Sequence, residues 1–167
     1  MLRTNLRRAV VAGATVAASA MALQGTGLAL PTETVTVDSW GTPGSCYART
    51  VSADINPTEN TEFVNFQLFV TVGGHTYAGS VVNTGPSTGG KLAATVSVSA
   101  PCSVAGGQPA IYNLYVQGYK GSLALPDYLF DQWNAYSVCN LTGPSCIDTP
   151  AVELDANTPV AFVGHLP

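Results

Sequence analysis

His75 and His165 are the two side chains of this sequence whose ordinary pKa lies near neutrality, so each is a candidate general base. A small secreted hydrolase would need one of them beside a serine and an acid. The plainer reading is an exposed turn residue after Gly73-Gly74 and a tail residue near the end of the sequence. No H-E-x-x-H and no dinucleotide fingerprint raises either above that. Carboxylates offer a second chemistry. Asp127 and Asp131 lie four apart beside Tyr128 and Trp133, the residue types of a glycosidase site, though helix surfaces carry such pairs routinely. Hard oxygen donors for calcium occur in Asp54, Asn56 and Glu59, and again in Glu153, Asp155 and Asn157. Neither group follows an EF-hand pattern, and Asp and Asn favour turns for local hydrogen-bonding reasons. We therefore expect no catalytic residue, no metal and no cofactor, with an enzyme as the lesser reading.

The strongest chemical pattern is aromatic. In "YNLYVQGY" the alternation sends Tyr112, Leu114 and Val116 inward, with Asn113, Tyr115, Gln117 and Tyr119 outward. Tyr128, Trp133 and Tyr136 follow closely. Rings beside amides suit a sugar, whose apolar face stacks while its hydroxyls meet the amides. They suit a protein partner equally, since tyrosine and tryptophan are favoured anchors. Tyrosine also prefers strands for packing reasons alone, and a second layer can cover such rings.

Four cysteines, Cys46, Cys102, Cys139 and Cys146, raise the question of metal, redox or staple. The spacings are not those of zinc pairs or of C-x-x-C. An even number in an exported chain points to disulfides. Three pairings are open. Cys139–Cys146, closing a short loop, and Cys46–Cys102, joining distant strands, are the expected ones. The stretch "CNLTGPSC" resembles the short cysteine loop of the antibiotic-carrying apoproteins of the neocarzinostatin type. The likeness covers those residues alone, the first pair is spaced far more widely than in that family, and no ligand-binding role is carried over.

Export is expected from the start of the chain. Arg3, Arg7 and Arg8 precede an apolar stretch from Val10 to Ala22, and small-residue cleavage sites end at Ala22 and Ala29. That stretch is about 13 residues, short of the roughly 20 that span a bilayer. We expect a signal peptide over 1–29, cleaved after Ala29 with Ala22 as the alternative, and free secretion of residues 30–167. Arg7-Arg8 leaves the twin-arginine route open beside the general one. The alanine-rich signal and lysine-poor composition look bacterial. Removing the signal leaves Arg49, Lys91 and Lys120 against ten acidic residues, a net charge of −7. So few cations cannot neutralise a run of phosphates, which argues against nucleic-acid partners and anionic lipid surfaces.

The elements that must position these residues read as strands. Val64, Phe66, Leu68, Val70 and Val72 form one apolar stripe, and Leu92, Ala94, Val96, Val98, Ala100 and Cys102 another. Gly73-Gly74 predicts a hairpin. Glycine- and proline-rich turns recur near 41–44, 54–60, 83–90 and 105–109. Eight or nine strands are predicted, near 33–39, 45–53, 62–72, 75–83, 91–101, 110–119, 134–139, 150–154 and 159–165. In "PDYLFDQWNAY", Leu129, Trp133 and Tyr136 have helical spacing, which suits a short helix across the sandwich end, with a structured loop as the alternative. The expected fold is a single all-β domain, an antiparallel, immunoglobulin-like β-sandwich with two disulfides. A small β-barrel is the runner-up. The functional expectation is a secreted, non-enzymatic binding module for a protein or a cell-envelope glycan. The candidate surface is Asn113, Tyr115, Gln117, Tyr119, Tyr128, Trp133 and Tyr136. An inhibitor of an extracellular enzyme, presenting the 139–146 loop, is the alternative, beside the hydrolase.

Overall fold

A computed structural model describes residues 33–57, 62–104, 109–122, 125–140 and 145–154, with backbone alone for residue 62 and residues 120–122 and 125–130. All of them lie in the compact unit from Pro31 to Pro167. The expected signal peptide, the predicted strand at 159–165, Glu59, Asp155, Asn157 and His165 fall outside the described residues.

Among the described residues ten strands follow in chain order: β1 (Thr34–Trp40), β2 (Arg49–Asn56), β3 (Glu62–Val72), β4 (His75–Ala78), β5 (Val82–Thr84), β6 (Leu92–Val98), β7 (Ala110–Ser122), β8 (Leu125–Cys139), β9 (Cys146–Asp148) and β10 (Val152–Leu154). They form two antiparallel sheets, one ordered β1-β2-β6 and one ordered β10-β8-β7-β3-β4, with β5 also on β3 and β9 also on β8. The predicted all-β sandwich with two disulfides is therefore the fold.

The core lies where the two alternating stripes face each other. Rows such as Phe66, Val116 and Trp133, or Leu68, Leu114 and Ala135, cross the larger sheet in register. Val51, Ala53, Ile55, Ala94, Val96 and Val98 meet them from the smaller sheet. Burying each large aliphatic stabilises by roughly 1.5–3 kcal/mol, which is what fixes the register. Gly73 and Gly74 turn β3 into β4 with φ of +59° and +78°, the left-handed pair that a two-residue hairpin requires.

Several expectations need correction. Residues 126–136 are not helical; they belong to β8, which pairs with β7 from Ala110↔Cys139 to Ser122↔Leu125. The inward positions of its second half are Trp133, Ala135, Ser137 and Cys139, so small and polar side chains hide the two-residue period. A long cross-strand ladder overrides the local helical spacing. Second, the strand predicted from 45 begins only at Arg49, because Ser45–Tyr47 forms a 3-10 turn with Cys46 and Tyr47 at φ +54° and +58°. Third, the apolar stripe of β6 does not continue to Cys102, which is exposed in the turn beyond that strand. Cys46–Cys102 is formed, as expected, but it ties the turn before β2 to the turn after β6. Cys139–Cys146 is also formed.

The strand predicted over 75–83 is broken at Gly79. Its N–H donates to the Leu68 carbonyl at 2.8 Å, and a Cβ there would overlap the Ser97 carbonyl oxygen of β6. Only hydrogen leaves room for this close approach of the two sheets. Gly79→Ala is expected to cost about 2–3 kcal/mol, read from urea unfolding. A cost below half of one kcal/mol would mean the approach relaxes freely.

Candidate functional site

Strand parity places Asn113, Tyr115, Gln117 and Tyr119 on the outer face of the larger sheet. Register aligns them with Phe69, Gln67, Asn65 and Phe63 of β3 on one side. On the other, Asn113, Tyr115 and Gln117 oppose Tyr136, Asn134 and Gln132 of β8. None of these aligned positions carries a charge. The surface is one of amides and rings.

Its two ends differ. Around Tyr119 the face is closed. Asn83 Nδ2 donates to Tyr119 Oη at 2.9 Å and to Asn65 Oδ1 at 2.9 Å, and Phe63 stacks on the Tyr119 ring at 6.0 Å. Tyr119 is 4 % exposed, and Gln132 and Asn65 are buried with it. Burial raises the Tyr119 hydroxyl above its ordinary pKa, with the Asn83 and Asn65 hydrogen bonds opposing the shift. Tyr119 is neutral, and its hydroxyl oxygen is engaged as an acceptor.

The other end is open. Ile111, Tyr136, Ile147 and Val152 are the exposed large hydrophobic side chains among the described residues, and all four fall on this face. Register makes them neighbours: Ile111 opposes Val138, Val138 opposes Ile147, and Val152 opposes Asn134. Asn113 and Tyr115 are half-buried beside them, Tyr115 held edge-on by Phe69 at 5.5 Å. Asn134 Nδ2 donates to the Leu114 carbonyl at 3.1 Å, and Thr149 fastens the backbone of Tyr136 through bonds of 2.9 and 2.8 Å. The patch is thus rigid. It borders the β8–β9 hairpin clipped by Cys139–Cys146.

Of the expected surface, the fold brings together Asn113, Tyr115 and Tyr136 at the open end, with Gln117 half-buried towards the closed one. Trp133 is 3 % exposed and points into the core. Tyr128 lies on β8 opposite Lys120, its side chain outside the described residues. Ile111, Ile147 and Val152 did not stand out in the sequence. Ile147 and Val152 sit in three-residue strands beside charged neighbours, and the alternation Cys146-Ile147-Asp148 was the one signal available for Ile147.

The other candidate chemistries are placed elsewhere. His75 is exposed at the start of β4 with no hydrogen bond to a serine or an acid among the described residues. Gly85-Pro86-Ser87-Thr88-Gly89 has the G-x-S-x-G spacing of a nucleophile elbow, a match that the fold refuses. It forms a turn between two strands, and Ser87 is wholly buried with its hydroxyl turned to Gly89 and Gly90. Asp54 is buried and paired with Lys91 at 2.9 Å. Among the described residues no group of three or more His, Cys, Asp or Glu side chains could hold a metal ion, and no helix is long and apolar enough to cross a membrane.

Asp131 lies near Glu33 and Glu153, and burial first, then the charges of both glutamates and a hydrogen bond to Glu33, raise its pKa to about 6. The folded protein therefore holds this proton more tightly than the unfolded chain. The resulting stabilisation is full below about pH 4 and is lost as pH rises through about 6. We expect stability to fall by about 1–2 kcal/mol from pH 4 to pH 7, screening allowed for, and the slope to vanish in Asp131→Asn. Thermal melts across that range would show it; a flat profile would contradict the shared proton.

Beside the patch, one cation is buried. Arg49 Nε donates to the Gly41 carbonyl at 2.7 Å, Nη1 to Ser137 Oγ and Cys139 Sγ, and Nη2 to Asp148 Oδ1 at 3.1 Å. Its guanidinium lies 4.9 Å from the Trp40 ring and 5.0 Å from that of Tyr112. Four of its five N–H donors make these directed contacts and two rings flank it, so Arg49 pins β1, β2, β7, β8 and β9 rather than offering a free charge to an outside anion. No protein family matches this sequence, and neither a curated protein nor a solved structure matches it.

Proposed function

We propose that this chain is an exported, non-enzymatic binding module whose partner is a protein docked on the open end of the larger sheet's outer face. One observation carries the reading: the four exposed large apolar side chains of the described residues converge on one uncharged, rigid patch. Such clustering on a small domain marks an interaction surface, and a central exposed tyrosine is a favoured anchor. Export is supported by the signal-like first 29 residues and by two disulfides in the mature part. The mature charge of −7 disfavours nucleic acid.

A cell-envelope glycan is the second reading, favoured by the alternation of Tyr115 and Tyr136 with Asn113 and Asn134 across β7 and β8. Co-sedimentation with isolated envelopes of the producing cell separates the two. A protein partner predicts depletion that protease treatment of the envelopes abolishes. A glycan predicts depletion that survives protease and is lost to glycan-degrading enzymes. No depletion by untreated envelopes would contradict both.

A further inference from the structure

The Cys139–Cys146 disulfide joins directly opposed residues of β8 and β9, and its two sulfurs have unlike surroundings. Cys139 is 2 % exposed, whereas Cys146 is half-buried. Arg49 Nη1 donates to Cys139 Sγ at 3.1 Å, and Ser137 Oγ is 3.7 Å from the same sulfur. Among the described residues the charged groups at this point are Arg49 from β2 and Asp148 from β9, which pair at 3.1 Å. Tyr112 of β7 and Trp40 of β1 add neutral rings against the guanidinium. Cys46–Cys102 differs: no cationic side chain among the described residues is hydrogen-bonded to either of its sulfurs.

From this asymmetry we infer that Cys139–Cys146 is a thiol-exchange site for low-molecular-weight thiols, with Cys146 the sulfur attacked and Cys139 the leaving group. The incoming thiolate forms a bond to Cys146 Sγ. The Cys139–Cys146 bond breaks, and its electron pair departs on Cys139 as a thiolate beside the Arg49 guanidinium. A second thiolate then attacks the mixed disulfide at the incoming sulfur. It releases Cys146 as a thiolate, and the two small thiols leave as their own disulfide. Exchange is faster when the departing thiolate is the better stabilised one. A buried sulfur in apolar surroundings would be a poor leaving group, because desolvation raises its pKa; a fixed guanidinium at hydrogen-bond distance reverses that sign. Reduction also frees β9 from its covalent tie, so the Cys139 thiolate can replace Asp148 as the principal anion of Arg49.

The test uses the folded mature protein and glutathione as the probe. After brief exposure at neutral pH and acid quench, peptide mapping should place the mixed disulfide on Cys146 and the free thiol on Cys139, at least tenfold over the reverse. After full reduction of that bridge, with circular dichroism confirming the fold, Cys139 alkylation should follow a pH midpoint below the ordinary thiol value of about 8.5. Arg49→Lys, which keeps a charge in the cavity but not the fork, should move that midpoint upward. The inference is overturned by adducts on Cys139, by equal labelling of both sulfurs, by a bridge inert in the folded protein, or by a midpoint at or above the ordinary value. Attack at Cys146 with a raised midpoint would show that burial alone directs the exchange, and would also refute it.

Discussion

Replacing Arg49 with alanine should destabilise the protein by about 3–5 kcal/mol. The alanine would leave the Gly41 carbonyl and Ser137 Oγ without their donor, and Asp148 Oδ1 with the Ser137 hydroxyl but no cation. It would also open a gap between the Trp40 and Tyr112 rings. Unpaired buried acceptors and a cavity add in the same direction. In thermal unfolding the expected fall in Tm is roughly 10–20 °C. Arg49→Lys should recover part of the loss, since an ammonium retains charge but cannot reach four acceptors in one plane. A loss under about 1 kcal/mol for the alanine variant would show the guanidinium to be a bystander.

Removing Cys46–Cys102 by the paired change Cys46→Ala and Cys102→Ala should cost about 4 kcal/mol in the chain-entropy account, given a sequence separation of 56. A native-state term acts beside it. Cys46 and Tyr47 hold left-handed backbone, which costs non-glycine residues about 1–2 kcal/mol each. Besides the disulfide, the turn is held by Ala100 N–H donating to the Cys46 carbonyl at 3.0 Å and by Tyr112 Oη donating to the Tyr47 carbonyl at 3.0 Å. Without the covalent tie these bonds, with those of Gly44 and Ala48 inside the turn and of the Tyr47 hydroxyl to the Val104 carbonyl, must oppose the strain. The turn should then fray, and hydrogen exchange should rise at Ala100 as well as overall stability falling. Equal exchange at Ala100 with and without the disulfide would mean the turn holds by itself.

What the sequence disclosed follows from how each feature is built. The stripes of β3 and β6 were legible because apolar side chains occupy every second position and nothing polar interrupts them. The β8 strand was not, because Ala135 and Ser137 stand at inward positions and Trp133 with Tyr136 imitates a helical face. Arg49 gave no local sign of its role: its partners Ser137, Cys139 and Asp148 are 88, 90 and 99 residues distant. For the candidate site, parity placed Asn113, Tyr115, Gln117 and Tyr119 on one face correctly. It could not show that Asn83 and Phe63 close one end over Tyr119, since β5 reaches that face only by pairing with β3. Nor could it join Ile147 and Val152 to Tyr136, which depends on two three-residue strands pairing with β8.

The patch itself is tested most directly by envelope co-sedimentation of three proteins: residues 30–167 unaltered, the double variant Tyr136→Ala with Ile147→Lys, and a control, Thr36→Lys. Both altered patch residues are exposed, so stability should be nearly unchanged. Thr36 is exposed on β1 of the other sheet and receives the same change in charge. The account predicts at least tenfold weaker depletion for the patch variant, on the order of 1.4 kcal/mol or more of binding, with the control depleted like the unaltered protein. Equal depletion of the patch variant and the unaltered protein would contradict a docking surface on this face.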